Sequence, residues 1–74
     1  MITKTYDKTR GTWIYDHNGL RAIVYKVADR WHVRAGRIQP GRIAPVTELH
    51  EEFRSRRNAD KQAFHYLGGD DCRT

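Results

Sequence analysis

Apolar and polar positions change their spacing three times along the chain, and each change marks an element. Thr12-Trp13-Ile14-Tyr15-Asp16 and Ala22-Ile23-Val24-Tyr25-Lys26-Val27 are rich in β-branched and aromatic residues, the composition of strands. Between them lies Asn18-Gly19, the pair favoured in a two-residue type I′ turn because both positions need positive φ. That turn fixes a register: His17 opposite Leu20, Asp16 opposite Arg21, Tyr15 opposite Ala22, Ile14 opposite Ile23 and Trp13 opposite Val24. The Asp16–Arg21 pair sets opposite charges across from each other, which supports the register.

A third strand is predicted from about Arg30 to Ile38, where Trp31, Val33 and Ala35 alternate with Arg30, His32 and Arg34. A two-residue turn at Ala28-Asp29 puts Trp31 and Val33 on the same face as Trp13, Tyr15, Ala22 and Val24. A three-residue loop puts them with Ile14, Ile23, Tyr25 and Val27 instead, because a slip of one residue inverts a strand. The first register is preferred, since it buries both tryptophans together. In either register Arg30, His32 and Arg34 point away from the core.

Gln39-Pro40-Gly41 reads as a turn and Pro45 as a further break. Beyond them Leu49, Phe53, Ala59, Ala63, Phe64, Tyr66 and Leu67 fall on one side of a helical wheel, and Gly68-Gly69 supplies a stop. Two helix starts compete. Thr47 caps a long helix with Glu48, Glu51 and Glu52 near its positive end, or Ser55 caps a shorter one from about Arg56 while residues 47–53 stay extended. The long form places Glu52, Arg56 and Asp60 within the apolar arc, so the short form is preferred. The expected fold is α+β: an antiparallel sheet of three strands, or four if residues 47–54 are extended, packed against one C-terminal helix. Residues 1–10 read as a flexible basic arm, 11–69 as a single β-β-β-α domain and 70–74 as a disordered tail.

Seventy-four residues suit one domain with a small core. Cys72 is the only cysteine, so no disulfide closes within the chain and a reducing, cytoplasmic setting is expected. No apolar run is long enough to span a bilayer and no secretory-type leader is visible, so a soluble, unprocessed chain is expected. The net charge of +5 is unevenly spread. Residues 1–45 carry nine basic side chains against Asp7, Asp16 and Asp29, whereas the remainder is nearly balanced. The excess therefore falls on the predicted sheet, and such a field attracts polyanions.

Little points to catalysis. His17, His32, His50 and His65 include no pair at the spacing that suits zinc, and the single cysteine completes no site. Nucleophile-elbow, phosphate-loop and zinc-protease motifs are missing. The adjacent Glu51 and Glu52 read as helix-start electrostatics or a solvated face. A binding protein without cofactor or metal is expected, not an enzyme.

On the preferred register the outer sheet face shows Arg21, Ile23, Tyr25, Arg30, His32 and Arg34. A two- or three-stranded antiparallel surface of this kind fits a major groove, with arginine gripping phosphate or guanine and tyrosine stacking or bonding to backbone oxygens. Arg10 in the arm, with Arg37 and Arg42 in the adjoining loop, would add phosphate contacts. Five such contacts would give a log–log salt slope of about −4 to −5 on duplex DNA.

Phe53-x-Ser55-x-x-x-Ala59, following a strand with Trp31-x-Val33-x-Ala35, resembles the end of the sheet and start of the helix in APETALA-type DNA-binding domains. It is similar, too, to the arm-site-binding domains of tyrosine-type phage integrases. The resemblance implies three strands on one helix, reading the major groove through the sheet, with Arg21, Arg30 and Arg34 as contacts. It covers about half the chain, and residues 37–52 are inserted where those families connect more tightly. Compactness and composition also resemble small accessory proteins of phages. The leading expectation is a DNA-binding accessory protein, DNA before RNA. The alternatives are a protein–protein module docking on a host protein, and a structural homodimer.

Overall fold

The computed structural model describes residues 2–68; Cys72 and the 70–74 tail lie outside them. Five strands and a helix follow one another: β1 (Thr3–Asp7), β2 (Thr12–His17), β3 (Leu20–Val27), β4 (Arg30–Arg37), β5 (Val46–Phe53) and α1 (Arg56–Leu67). The sheet is antiparallel and its spatial order repeats the chain order, β1-β2-β3-β4-β5. The α+β class is as expected, but the sheet has five strands, not three or four.

The added strand is β1, drawn from the segment expected to be a loose arm. Its sequence Thr3-Lys4-Thr5-Tyr6-Asp7 is polar and mostly exposed. What anchors it is the helix-side face, where the Tyr6 ring centroid lies 4.6 Å from that of Trp13 and Ile2 packs against the core. Asp7 then closes the connection to β2, accepting the backbone N–H groups of Thr9 and Arg10 at 3.0 and 3.4 Å.

The β2–β3 register matches the sequence expectation pair for pair, with Asn18 (φ 52°) and Gly19 (φ 77°) both in the left-handed region. Val27 pairs with Arg30, so the β3–β4 turn is the two-residue form. Its Ala28 has φ 57°, a conformation that strains an L-residue with a Cβ. As a result both tryptophans lie on the helix side, around a core of Tyr15, Ala22, Val24, Val33 and Ala35.

Residues 46–53 are extended. Leu49, Glu51 and Phe53 pair with Ala35, Val33 and Trp31, which places the two apolar side chains at the helix-side rim of the core. The slip between Ala35↔Leu49 and Gly36↔Thr47 makes Glu48 the extra residue of a β-bulge. Because of β5, the Phe53-x-Ser55 segment enters the helix from the fifth strand and not from the strand carrying Trp31. The helix is the short form. Ser55 Oγ accepts the Asn58 N–H at 3.3 Å, and Gly68 (φ 79°) ends the helix with its N–H on the carbonyls of Phe64 and His65. Ala59, Ala63 and Leu67 face the sheet, and the two alanines let α1 lie close over β3 and β4.

One polar link crosses this core: Tyr15 Oη donates to Asp60 Oδ1 at 3.0 Å. Burial, then the neighbouring Asp60, pushes the Tyr15 phenol above its ordinary range, although Arg56 pulls the other way. Burial and Glu48 push Tyr66 up too, its Oη donating to Glu48 Oε1 at 2.8 Å. A folded-state pKa above the unfolded one means the native form holds its proton longer. The contribution is complete below about pH 10 and is lost as pH climbs through the raised value. Urea midpoints should therefore fall above that pH, and by less in Tyr15→Phe, which lacks the titrating group. An equal alkaline fall in both proteins would contradict the coupling.

Candidate nucleic-acid interface

The face turned away from α1 is set by the alternation of β3 and β4. Thr5, Ile14, Ile23, Arg34 and His50 form one row across all five strands, and Tyr25, His32 and Glu52 form part of the next. Ile14 and Ile23 are buried at 7% and 6% exposure, so the outer face has an apolar centre. Arg34, beside Ile23 in register, is half-buried, and its Nε is shielded from solvent without a hydrogen-bond partner. Burying the stem and Nε leaves the terminal nitrogens as the solvent-facing part of the guanidinium.

Next to Arg34 lies a line of rings. Tyr25 and His32 stack at 5.3 Å with an interplanar angle of 8°. His32 Nδ1 lies 3.3 Å from His50 Nε2, within hydrogen-bonding distance across β4 and β5. Arg30 closes this face at the β3–β4 turn, where its side chain is about half exposed and 4.0 Å from Asp29. Tyr25, Arg30, His32 and Arg34 therefore form one surface, as the alternation predicts.

Arg21 does not join them. Its Nε and Nη2 donate to the two Asp16 carboxylate oxygens at 2.7 and 3.0 Å, and Nη1 donates to the carbonyls of Arg42 and Ile43 at 3.1 and 3.2 Å. The Asp16 carboxylate raises its pKa, and the guanidinium is spent holding the 38–45 loop against the sheet. Arg21, expected as a nucleic-acid contact, is held by this fork as a structural staple. The Arg42 side chain is carried on that loop and exposed. Arg37 is the last residue of β4, not of a loop. It alternates to the helix side and comes close enough to Tyr66 to act on its phenol. Arg10 donates to Asp7 Oδ2 at 2.9 Å, in the β1–β2 connection.

Sequence reasoning missed a second gathering of cations. The β1–β2 connection, the β3–β4 turn and the β5–α1 junction all lie at one end of the sheet, because Asp7 pairs with Thr12, Val27 with Arg30 and Trp31 with Phe53. The segments at that end carry Lys8, Arg10, Arg30, Arg54, Arg56 and Arg57. The signal was Arg54-Ser55-Arg56-Arg57, hidden in a half of the chain whose overall charge is close to zero.

No group of three or more histidine, cysteine or acidic side chains placed to hold a metal occurs among the described residues. A groove between Phe53 and the Asn58–His65 face of α1 is shallow and open to solvent. No helix among the described residues is long and apolar enough to cross a membrane. Family models, curated proteins and solved structures were all compared with this chain, and none matches it.

Proposed function

We propose that the protein binds nucleic acid, duplex DNA in the first instance, through the β3–β4 part of its outer sheet face. The observation that carries this reading is Arg34. A guanidinium whose stem is buried in the sheet loses little further freedom on gripping a phosphate or a guanine edge. Arg30 and the loop-borne Arg42 flank it, and Tyr25 and His32 offer ring edges and polar nitrogens between them. A two-stranded ribbon of this kind fits a major groove about 12 Å wide. The resemblance to APETALA-type and integrase arm-site-binding domains implies the same mode, with the departure that the helix here follows β5 and not the strand carrying Trp31.

Arg21 and Arg10 are engaged within the protein and Arg37 lies on the helix side, so of the six arginines expected to contact nucleic acid Arg30, Arg34 and Arg42 remain for this face. The log–log salt slope on duplex DNA should accordingly be about −2.7. Arg34→Ala should lower duplex affinity by about 1–3 kcal/mol, or 5- to 150-fold, and flatten the slope by about 0.9 if the contact is to phosphate. Fluorescence anisotropy on a labelled duplex between low and moderate salt measures both. A salt-insensitive interaction, or an Arg34→Ala protein that binds like the parent, would reject the proposal.

A second reading, a protein–protein module, draws on the two open sheet edges, β1 and β5. A partner retained from lysate after nuclease treatment, together with no retention on duplex DNA, would favour it.

A further inference from the structure

We propose a separate site for single-stranded nucleic acid at the sheet end where β1 and β2 meet the start of α1, with Tyr6 as the base-stacking platform. Its ligand class is that of the outer-face reading, but it shares none of the residues that carry that reading, so either can fail alone.

Three observations converge there. First, the rings form a ladder with one open end. Trp13 lies between Tyr6, 4.6 Å away by ring centroid, and the Arg56 guanidinium, 4.3 Å from its own centroid. On β1 the helix side chain Phe64 meets Lys4, whose Nζ lies 5.4 Å from the ring centroid, while Tyr6 further along the edge strand keeps 46% exposure. Trp13 and Arg56 hold their places from within the fold: Arg56 Nε sits 3.3 Å from Asp60 Oδ2, and Asp60 also receives the Tyr15 hydroxyl. The support beneath Tyr6, Trp13 backed by Arg56, is thus in place before any ligand arrives.

Second, the cations around it include unused ones. Asp7 neutralises Arg10 and Asp60 neutralises Arg56. The side chains of Lys8, Arg54 and Arg57, all three exposed residues, make no hydrogen bond or ion pair among the described residues. Third, α1 begins with two arginines and has no acidic residue in its first turn, the reverse of what a helix dipole favours. A polyanion bound there would offset that repulsion.

Aromatic rings interleaved with cations fit unpaired bases on a phosphate chain. A base in a duplex has both faces covered by its neighbours, whereas an unpaired base offers a π-face to an exposed ring, and the flanking phosphates then reach the nearby lysine and arginines. Tryptophan, tyrosine and arginine also anchor protein interfaces. The surplus of unpaired positive charge at this end favours the polyanion.

The test uses a labelled oligo(dT) strand and the whole chain. Anisotropy should show saturable binding. Tyr6→Ala should weaken it about 5- to 150-fold through loss of one stacked base, while Tyr6→Phe should retain it. Arg54→Ala with Arg57→Ala should flatten the salt slope by about 1.4, at about 0.7 per phosphate on a single strand. Trp13 emission, isolated in a Trp31→Phe background, should be quenched on binding; the anisotropy of the native chain decides the matter if that variant does not fold. Arg34→Ala should leave oligo(dT) affinity unchanged. If oligo(dT) fails to bind, or binds Tyr6→Ala as well as the parent, the site is refuted whether or not duplex binding depends on Arg34. Oligo(dT) binding lost in Tyr6→Ala and intact in Arg34→Ala establishes it, even if duplex DNA is not bound.

Discussion

Gly36→Ala is expected to remove about 3 kcal/mol or more of stability, a large share of what a chain of this length has. At the bulge between β4 and β5 the Val46 carbonyl closes on the Gly36 Cα. A Cβ built there would overlap that carbonyl oxygen, lie 2.7 Å from the carbonyl carbon and sit 3.2 Å from the Glu48 nitrogen. Space, and not backbone freedom, demands the glycine, because its φ is not among the positive ones. All three neighbours are backbone atoms, so no rotamer change relieves the overlap and β5 must separate from β4. With it would go the Leu49 and Phe53 contacts to the core and the Tyr66–Glu48 hydrogen bond. Overpacking a core costs about 1–3 kcal/mol when side chains can yield, and a backbone clash belongs at or above the top of that range. A chain of this length has about 4–11 kcal/mol in total. Urea titration followed by circular dichroism should show a sharply lower midpoint, and amide spectra should lose β5 first. A midpoint near that of the parent would mean the bulge relocates at little cost.

Gly36 also shows where the sequence stops being informative. A lone glycine near the end of an alternating strand is compatible with a bulge or a weak strand, and only the partner's register distinguishes them. The bulge likewise left β5 as one of two alternatives, extended or helical. Its extra residue, Glu48, breaks the period of two, and its glutamates point at the helix dipole as readily as at solvent. Where local chemistry dictates geometry, the reading held. Asn18-Gly19 set one register, the Asp16–Arg21 charge pair agreed with it, and the charged residues Glu52, Arg56 and Asp60 in the apolar arc of a longer helix favoured the start at Ser55. β1 was invisible for the opposite reason. Thr3, Lys4, Thr5 and Asp7 carry no apolar alternation, and the strand is held chiefly by one ring and by hydrogen bonds to β2.

The candidate site follows the same division. Alternation alone turns Arg30, His32 and Arg34 away from the core in either register of β4, and the two-residue turn at Ala28-Asp29 brings Tyr25 onto the same face. The loss of Arg21 depended on where a loop twenty residues later returns, because its guanidinium meets the Arg42 and Ile43 carbonyls. Charge counted by segment misled in a second way. Arg54, Arg56 and Arg57 are diluted by nearby glutamates along the chain, yet β5 carries Glu48 and Glu51 up the sheet and delivers the arginines to its end. Strand order therefore gathers basic residues that the sequence spaces apart, with Asp7, Asp29 and Glu52 among them.

Leu67→Ala should cost about 2–5 kcal/mol, the second large effect. Leu67 is 3% exposed and is the last residue of α1 before the left-handed Gly68 cap. The other two buried residues of the helix are alanines, so Leu67 supplies the only long aliphatic side chain among the three that α1 buries. Truncation leaves a cavity beneath the helix C-terminus, and the close approach set by Ala59 and Ala63 limits how far α1 can settle to fill it. The urea midpoint should drop with its slope unchanged, and amide exchange should quicken along α1 before it does in β3. The outer sheet face lies on the opposite side of the core, so duplex affinity measured well below the new melting temperature should stay at the parent value. A loss under about 1 kcal/mol would show that Phe64 and Tyr66, with the two tryptophans at the rim, hold the helix without it.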